Sequence, residues 1–305
     1  MTLASEYTFR GDGIWDLFLR NLRNITFTRS DGTQGHLASH LVAGVMTKLQ
    51  GATDECNELS APFGVACFTI FANVFNPHNY GFMSTAYYGL SFAKVLSIVN
   101  TLTLGIDVLF LDCDQVFFRN PLPYLLAREA DVQVTAYCIN LGADTVPEAR
   151  APMWAVNIGF LYMRPRPMVL RFALAWLHKL VTSVLTVGPQ LDQAAFPEVW
   201  STTVANLTSK ELNGVLLSPE AFPTKCNGDC GCSLKRVGRG AEGKRLPFGP
   251  DGLCKPHTMR QWYGFHVPCV PGDMNAKAQL MRRMLDMYEQ GVGPVNSRSE
   301  PMAVV

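Results

Sequence analysis

The chain has almost no excess of charge. Its 26 lysines and arginines face 25 aspartates and glutamates, and the formal net charge is +1. A balance of this kind gives no electrostatic reason to expect nucleic acid as a partner. Long apolar runs are also lacking. The longest uncharged one, from Ala61 to Phe75, is shorter than a membrane span requires. Residues 168–187 are apolar but include Arg171, His178 and Lys179, so they read as an amphipathic helix of a soluble domain. The N-terminus lacks a basic segment followed by an apolar core, the mark of a signal peptide. Any membrane attachment is expected only through an anchor upstream of Met1. There is no internal repeat and no low-complexity tract.

Apolar residues are plentiful. At 48% hydrophobic and 17% charged, the 305 residues can bury a sizeable core. Cysteines are numerous for a cytosolic enzyme, nine in all. Two sequons, Asn24-Ile25-Thr26 and Asn206-Leu207-Thr208, fit a secretory lumen. Together these features point to an oxidising compartment. Four cysteines, Cys226, Cys230, Cys232 and Cys254, fall in a Gly-rich stretch. They allow two disulfides in any of three pairings, or a zinc site, although the paired Cys-x-x-Cys spacing of common zinc sites is missing.

Strand and helix patterns alternate, which predicts an α/β fold with a mostly parallel sheet flanked by helices. Strands are expected at residues 2–5, 41–46, 132–137 and 156–163, and helices at 15–22, 168–184 and 276–288. The clearest unit begins at Thr85. Tyr88, Phe92, Val95, Val99 and Leu102 recur at helical spacing, and Gly105 supplies a cap. Ile106 to Leu111 then reads as a buried parallel strand covered on both faces. It ends in Asp112-Cys113-Asp114.

Residues i and i+2 of an extended chain point the same way. Asp112 and Asp114 are therefore able to converge on one hard cation, Mg²⁺ or Mn²⁺, at a strand end where α/β sheets bind ligands. A solvent-facing strand-to-turn junction would show the same two aspartates. The string from Leu111 to Val116 also fits the nucleophile motif of haloacid-dehalogenase-type phosphatases, with Asp112 attacking phosphate. That class carries the motif near its start, whereas more than a hundred residues precede it here.

The segment KVLSIVNTLTLGIDVLFLDCDQVFFRNPLP, residues 94–123, resembles the nucleotide-diphospho-sugar transferases of plants and algae, which include cell-wall xylosyl-, arabinosyl- and galactosyltransferases. The shared pattern is a Lys-bearing helix, Gly-x-Asp-Val-Leu, Asp-x-Asp, an aromatic pair and Pro-x-Pro. Further similarities follow in order: residues 2–5 and 16–22, the Asn157-Ile158-Gly159-Phe160 segment, Leu191-Asp192-Gln193, and Phe265-His266 followed by Gly272 and Lys277. The resemblance implies a GT-A fold with a Rossmann-like sheet in a single catalytic domain, residues 1–290. The Cys-rich insertion would span about 222–258, and 291–305 would form a disordered tail. It also implies a UDP-sugar donor, a glycan or glycoprotein acceptor, retention of anomeric configuration, and residence in the Golgi. A non-catalytic glycan-binding relative would carry the same motifs.

The resemblance assigns roles residue by residue. His266 joins Asp112 and Asp114 on the metal, and an imidazole favours Mn²⁺. Gly272 and Lys277 lie near the diphosphate. Lys94 contacts the donor, although its helical position also suits a plain exposed lysine. Asn157 and Gly159 approach the sugar pocket, where Gly159 also reads as a bulge. Asp192 and Gln193 face the transferred sugar or acceptor, although Asp192 also reads as a helix cap. Cys113 is expected to point into the sheet.

Overall fold

In a computed structural model of the chain, the described residues are 1–5, 8–9, 13–47, 51–71, 85–136, 156–186, 188–204, 207, 211–224, 256–268 and 274–295. Strand β1 (Thr2–Ser5) leads to helix α1 (Ile14–Asn24), the hairpin β2 (Thr26–Thr28) and β3 (Gln34–His36), and β4 (Val42–Thr47). Helix α2 (Ala52–Ser60), β5 (Ala66–Phe71) and helix α3 (Thr85–Thr103) follow. Then come β6 (Val108–Leu111), β7 (Gln115–Phe117), the short α4 (Leu122–Leu126), β8 (Val132–Ala136) and β9 (Val156–Met163). The chain continues with α5 (Pro167–Thr186), α6 (Asp192–Val204), β10 (Gly214–Leu217), the short α7 (Pro256–Met259), β11 (Gly264–His266) and α8 (Met274–Gly291).

The first sheet has the order β5-β4-β1 and is parallel throughout. The second has the order β10-β8-β9-β6. Met1 joins them: its nitrogen donates to Leu109 O at 2.7 Å, and Leu111 N donates to its carbonyl at 2.9 Å. Bonds to both neighbours of Phe110 are the pattern of a parallel pair. The α/β architecture and the mostly parallel sheet are as expected.

One strand differs. β9 runs antiparallel to both β6 and β8, so the expected all-parallel setting of β6 holds only on its Met1 side. All eight residues of β9 are buried. An apolar run encodes burial on two faces but not strand direction, which is why the sequence pattern could not reveal the reversal. β6 is also shorter than expected, and Ile106 lies outside it, half exposed.

One apolar cluster is built from α1, α8, β7 and β11 with parts of the first sheet, and includes Phe18, Phe117, Trp262 and Met281. The other brings α3, α5 and α6 onto β6, β8 and β9, and includes Val95, Phe110, Trp176 and Phe196. Helix α5 is, among the described residues, the one long and apolar enough to cross a membrane. Val169, Phe172, Trp176 and Leu180 on its inner face are buried in this core.

Two expected boundaries moved. α8 is longer than residues 276–288 and continues to Gly291, and Val292 and Val295 pack on the first cluster. The predicted tail therefore begins in ordered chain, and its remainder, 296–305, lies outside the described residues. Most of the Cys-rich segment, with Cys226, Cys230, Cys232 and Cys254, also lies outside them. A disulfide that the sequence reading did not foresee links Cys56 of α2 to Cys67 of β5.

Candidate active site

The site begins with helix α3. Gly105 adopts a φ of 73° and its nitrogen donates to Leu102 O at 3.0 Å. This left-handed residue stops the helix and turns the chain into β6, whose end delivers Asp112. The Asp112 nitrogen donates to Gly159 O at 2.7 Å, so β9 fixes the aspartate's backbone. After Asp114 the chain enters β7, which pairs antiparallel with β11 so that Gln115 lies opposite His266. Val267 N donates to Asp114 O at 3.0 Å. This short two-stranded ladder carries His266 to Asp114 across a separation of 152 residues.

Asp112, Asp114 and His266 each offer a ligand atom within 4.8 Å of the others. His266 Nε2 is 2.9 Å from Asp114 Oδ1 and 3.8 Å from Asp112 Oδ2. The imidazole is buried; its Nδ1 lies 2.9 Å from Asn157 Oδ1. The same oxygen accepts from Gly159 N at 3.0 Å. A backbone N–H requires an acceptor, so the Asn157 oxygen must face it, and His266 Nδ1 must be the donor. Nε2 and a carboxylate oxygen then meet at 2.9 Å, and two acceptors that close need a proton or a cation between them. A carboxylate pair and an imidazole held in this tautomer form a donor set that fits a divalent cation.

Gly159 keeps the space open. A Cβ there would come within 2.2 Å of His266 Cε1 and 2.7 Å of Asp112 Oδ2. The bulge reading of this glycine holds. Opposite it the β8–β9 register shifts between Val134 and Thr135, so Gly159 lies in an irregular stretch of β9 and is also a point of close approach. Its carbonyl accepts from the Gln115 side chain as well. Nothing in the sequence singled Gln115 out.

Two lysines flank the carboxylates. Lys277 Nζ donates to Asp114 Oδ2 at 2.5 Å. Burial opposes charge on Asp114, but Lys277 and His266 outweigh it and hold its carboxyl well below the usual carboxylate range. Burial likewise lowers the Lys277 ammonium pKa, and Asp114 more than restores it. Lys94 is not the exposed lysine that its helical position allowed. It is 5% exposed and lies 3.4 Å from both Asp112 Oδ1 and Asp192 Oδ2. It donates to Ile158 O at 2.9 Å and lies over the Phe110 ring at 4.4 Å. Burial weakens its charge, and the two aspartates raise its pKa above the ordinary lysine value despite that.

Asp192 opens α6 and is buried; Ser91 Oγ donates to its Oδ1 at 2.7 Å. Gln193 is engaged at both ends of its amide: Ile158 N donates to Oε1 at 2.9 Å, and Nε2 donates to Val156 O at 2.6 Å. The side chain thus continues the ladder of β9. Cys113 is a free thiol, half-buried and packed against the first apolar cluster. Burial, then the charges of Asp114 and Asp112, push its pKa far above the usual thiol value, so it is a poor nucleophile. Gly272 lies outside the described residues.

The sequence matches the nucleotide-diphospho-sugar transferase family over residues 52–231, more than half of the chain. The chain belongs to that family. The transferase is 31% identical over 124 residues to the Arabidopsis thaliana protein arabinosyltransferase XEG113, a match that covers 39% of this chain and 18% of that one. The chain thus spans under a fifth of the length of this relative. Among solved structures it is similar to the galactosyltransferase LgtC with donor and acceptor sugar analogues (12% identity, TM-score 0.43, covering 95% of this chain and 94% of that one). It is also similar to the glycosyltransferase GlyE of Streptococcus pneumoniae TIGR4 (12% identity, TM-score 0.41, covering 72% and 46%). As a family of glycosyltransferases that use nucleotide-sugar donors, this class leaves the phosphatase reading of Asp112 without support.

Proposed function

We propose that the transferase moves a sugar from a UDP-sugar to a glycan or glycoprotein acceptor, and that Asp112, Asp114 and His266 hold a divalent cation, Mn²⁺ in preference to Mg²⁺. The observation that carries this reading is the close approach of His266 Nε2 to Asp114 Oδ1 at 2.9 Å while Nδ1 faces Asn157. When bound, the cation supplies Lewis-acid neutralisation of the charge that develops on the leaving diphosphate.

The remaining work falls to the chain itself. Lys277 provides a second positive charge next to Asp114, suited to a diphosphate oxygen once a ligand competes for it. Asn157 holds the tautomer of His266, and Gly159 leaves the volume through which ligand and ligating groups approach each other. Lys94 acts mainly by holding Asp112 and Asp192 in a common orientation. Asp192 faces the transferred sugar with its two oxygens already ordered by Ser91 and Lys94. Gln193 positions β9. Gly272 would serve the diphosphate with Lys277, as the family resemblance implies. We assign no protein nucleophile. Retention of configuration then rests on the leaving phosphate accepting the acceptor's proton on the face it departs from.

The relation to XEG113 makes a pentose such as arabinose a reasonable first donor to test, with cell-wall or glycoprotein glycans as acceptors. A single GT-A-type domain over residues 1–290, in the Golgi or elsewhere in the secretory lumen, fits these roles. The Cys56–Cys67 disulfide supports that compartment. A panel of UDP-sugars incubated with Mn²⁺ tests the proposal: hydrolysis or transfer from one of them is expected. Binding of UDP and glycan with no turnover of any donor would favour the non-catalytic reading instead.

A further inference from the structure

Helix α1 ends at Asn24, and the hairpin β2–β3 starts two residues later. Asn24 and Thr26 are exposed, while Ile25 between them is buried. The sequon Asn24-Ile25-Thr26 is therefore anchored by its middle residue and displays its acceptor amide at a surface corner. Asn24 also lines a groove of about 600 Å³ between α1 and the end of α2. Arg20, Arg23, Glu58, Leu59 and Phe63 line it. Arg23 Nη1 donates to Pro62 O at 2.9 Å, and the guanidinium carbons of Arg20 and Arg23 lie 6.0 and 5.9 Å from the Phe63 ring centre. Leu59 is 46% exposed in the same groove. A lining that mixes apolar faces with charged donors and acceptors matches the surface of N-acetylhexosamine units, which alternate C–H faces with hydroxyl and amide edges.

We propose that Asn24 carries an N-linked oligosaccharide whose first sugars lie along this groove and cover Leu59. The linkage forms when Asn24 Nδ2 attacks the anomeric carbon of a lipid-diphosphate-linked oligosaccharide. The C–N bond forms, the bond from anomeric carbon to phosphate oxygen breaks, and the amide proton leaves with the released lipid diphosphate. The inference rests on the secretory compartment proposed above, which the Cys56–Cys67 disulfide supports independently of any sequon. Attachment at a helix end needs no unfolding of α1 to accommodate the glycan.

The test uses the full chain purified from its own cells. Trypsin cleaves after Arg23 and Arg29, so the peptide 24–29 reports the site. Digestion with a peptide N-glycosidase in heavy-oxygen water is expected to convert Asn24 to labelled aspartate, and Asn24→Gln is expected to abolish the label. For the groove, native glycosidase treatment of wild type is expected to be several-fold slower than that of Leu59→Asp, which keeps the sequon but spoils the apolar lining. Unmodified Asn24 together with glycosylated Asn206 overturns the proposal and leaves the compartment intact. Unmodified sequons with reduced Cys56 and Cys67 overturn both. A modified Asn24 released equally fast in wild type and Leu59→Asp overturns the groove.

Discussion

Asn157 and His266, 109 residues apart, are joined by a hydrogen bond of 2.9 Å. It turns the Nε2 lone pair of His266 towards the two aspartates. Replacing the amide of Asn157 by Leu keeps the volume and removes that acceptor. Partners of a ligating histidine are typically worth about 10- to 100-fold in metal affinity. Asn157→Leu is therefore expected to bind Mn²⁺ about 10- to 100-fold more weakly while remaining folded, as read by calorimetric titration and circular dichroism. Unchanged affinity would remove Asn157 from the account.

Gly159→Ala is expected to be more damaging than its size suggests. The added carbon would meet His266 and Asp112 at well under contact distance, and the buried ring has little room to retreat. Mn²⁺ binding should fall by at least about tenfold, with a cost of about 1–3 kcal/mol from overpacking. Thermal denaturation of the metal-free protein separates the two effects.

Lys94 and its carboxylates form a second testable group. Lys94→Met retains the packing over Phe110 but leaves Asp192 buried without its cation. Breaking a buried pair costs about 3–5 kcal/mol, and the partial exposure of Asp112 brings the expectation to the lower end. Activity should fall together with stability, and Asp192→Asn in the same chain should recover part of the stability but not the activity. Additive losses of stability in the double variant would show that the two groups do not interact.

The pH dependence follows from Asp114. Its folded-state pKa lies below the unfolded value. The stability it contributes is thus present above the ordinary aspartate value, about 3.9, and is lost as pH falls through the folded value. Lys94 and Lys277 have raised values. Their contribution is present below the ordinary lysine value, about 10.4, and fades as pH rises past it. In the metal-free protein Asp114 therefore contributes a fall in melting temperature on the acid side, and the two lysines contribute one on the alkaline side. The acid-side fall should be shallower in Asp114→Asn.

Reduction of Cys56–Cys67 opens a loop of sequence separation 11. The chain-entropy argument gives about 3 kcal/mol for a loop near this length. The double variant Cys56→Ala/Cys67→Ala should lose that much by denaturant titration and keep its metal affinity, because the bridge lies on α2 and β5, away from Asp112.

Parts of this arrangement were legible in the sequence and others were not, for physical reasons. The α3–Gly105–β6 unit could be read because helical spacing, a cap and a β-rich run agree locally. Asp112 and Asp114 are two residues apart, so their convergence is also a local fact. His266 came only through family resemblance, since β7 and β11 have three residues each and show no periodicity. Lys94 was harder. Periodicity placed it off the apolar stripe, but its burial depends on Asp112 and Asp192, which arrive from β6 and α6. Ser91, which orders Asp192, and Gln115, which holds Gly159, gave no signal at all. The pair Cys56 and Cys67 carries no spacing signature and meets only because α2 packs against β5. The reversal of β9 escaped because burial on both faces looks the same in either direction.

The central claim is that Asp112, Asp114 and His266 hold the cation that engages the nucleotide diphosphate. The most direct measurement is UDP binding by calorimetry with and without Mn²⁺, in wild type and in Asp112→Ala and Asp114→Ala variants shown to be folded by circular dichroism. Wild type is expected to bind UDP only with Mn²⁺, and both variants to lose that binding. Undiminished Mn²⁺-dependent binding in the folded variants would contradict the account.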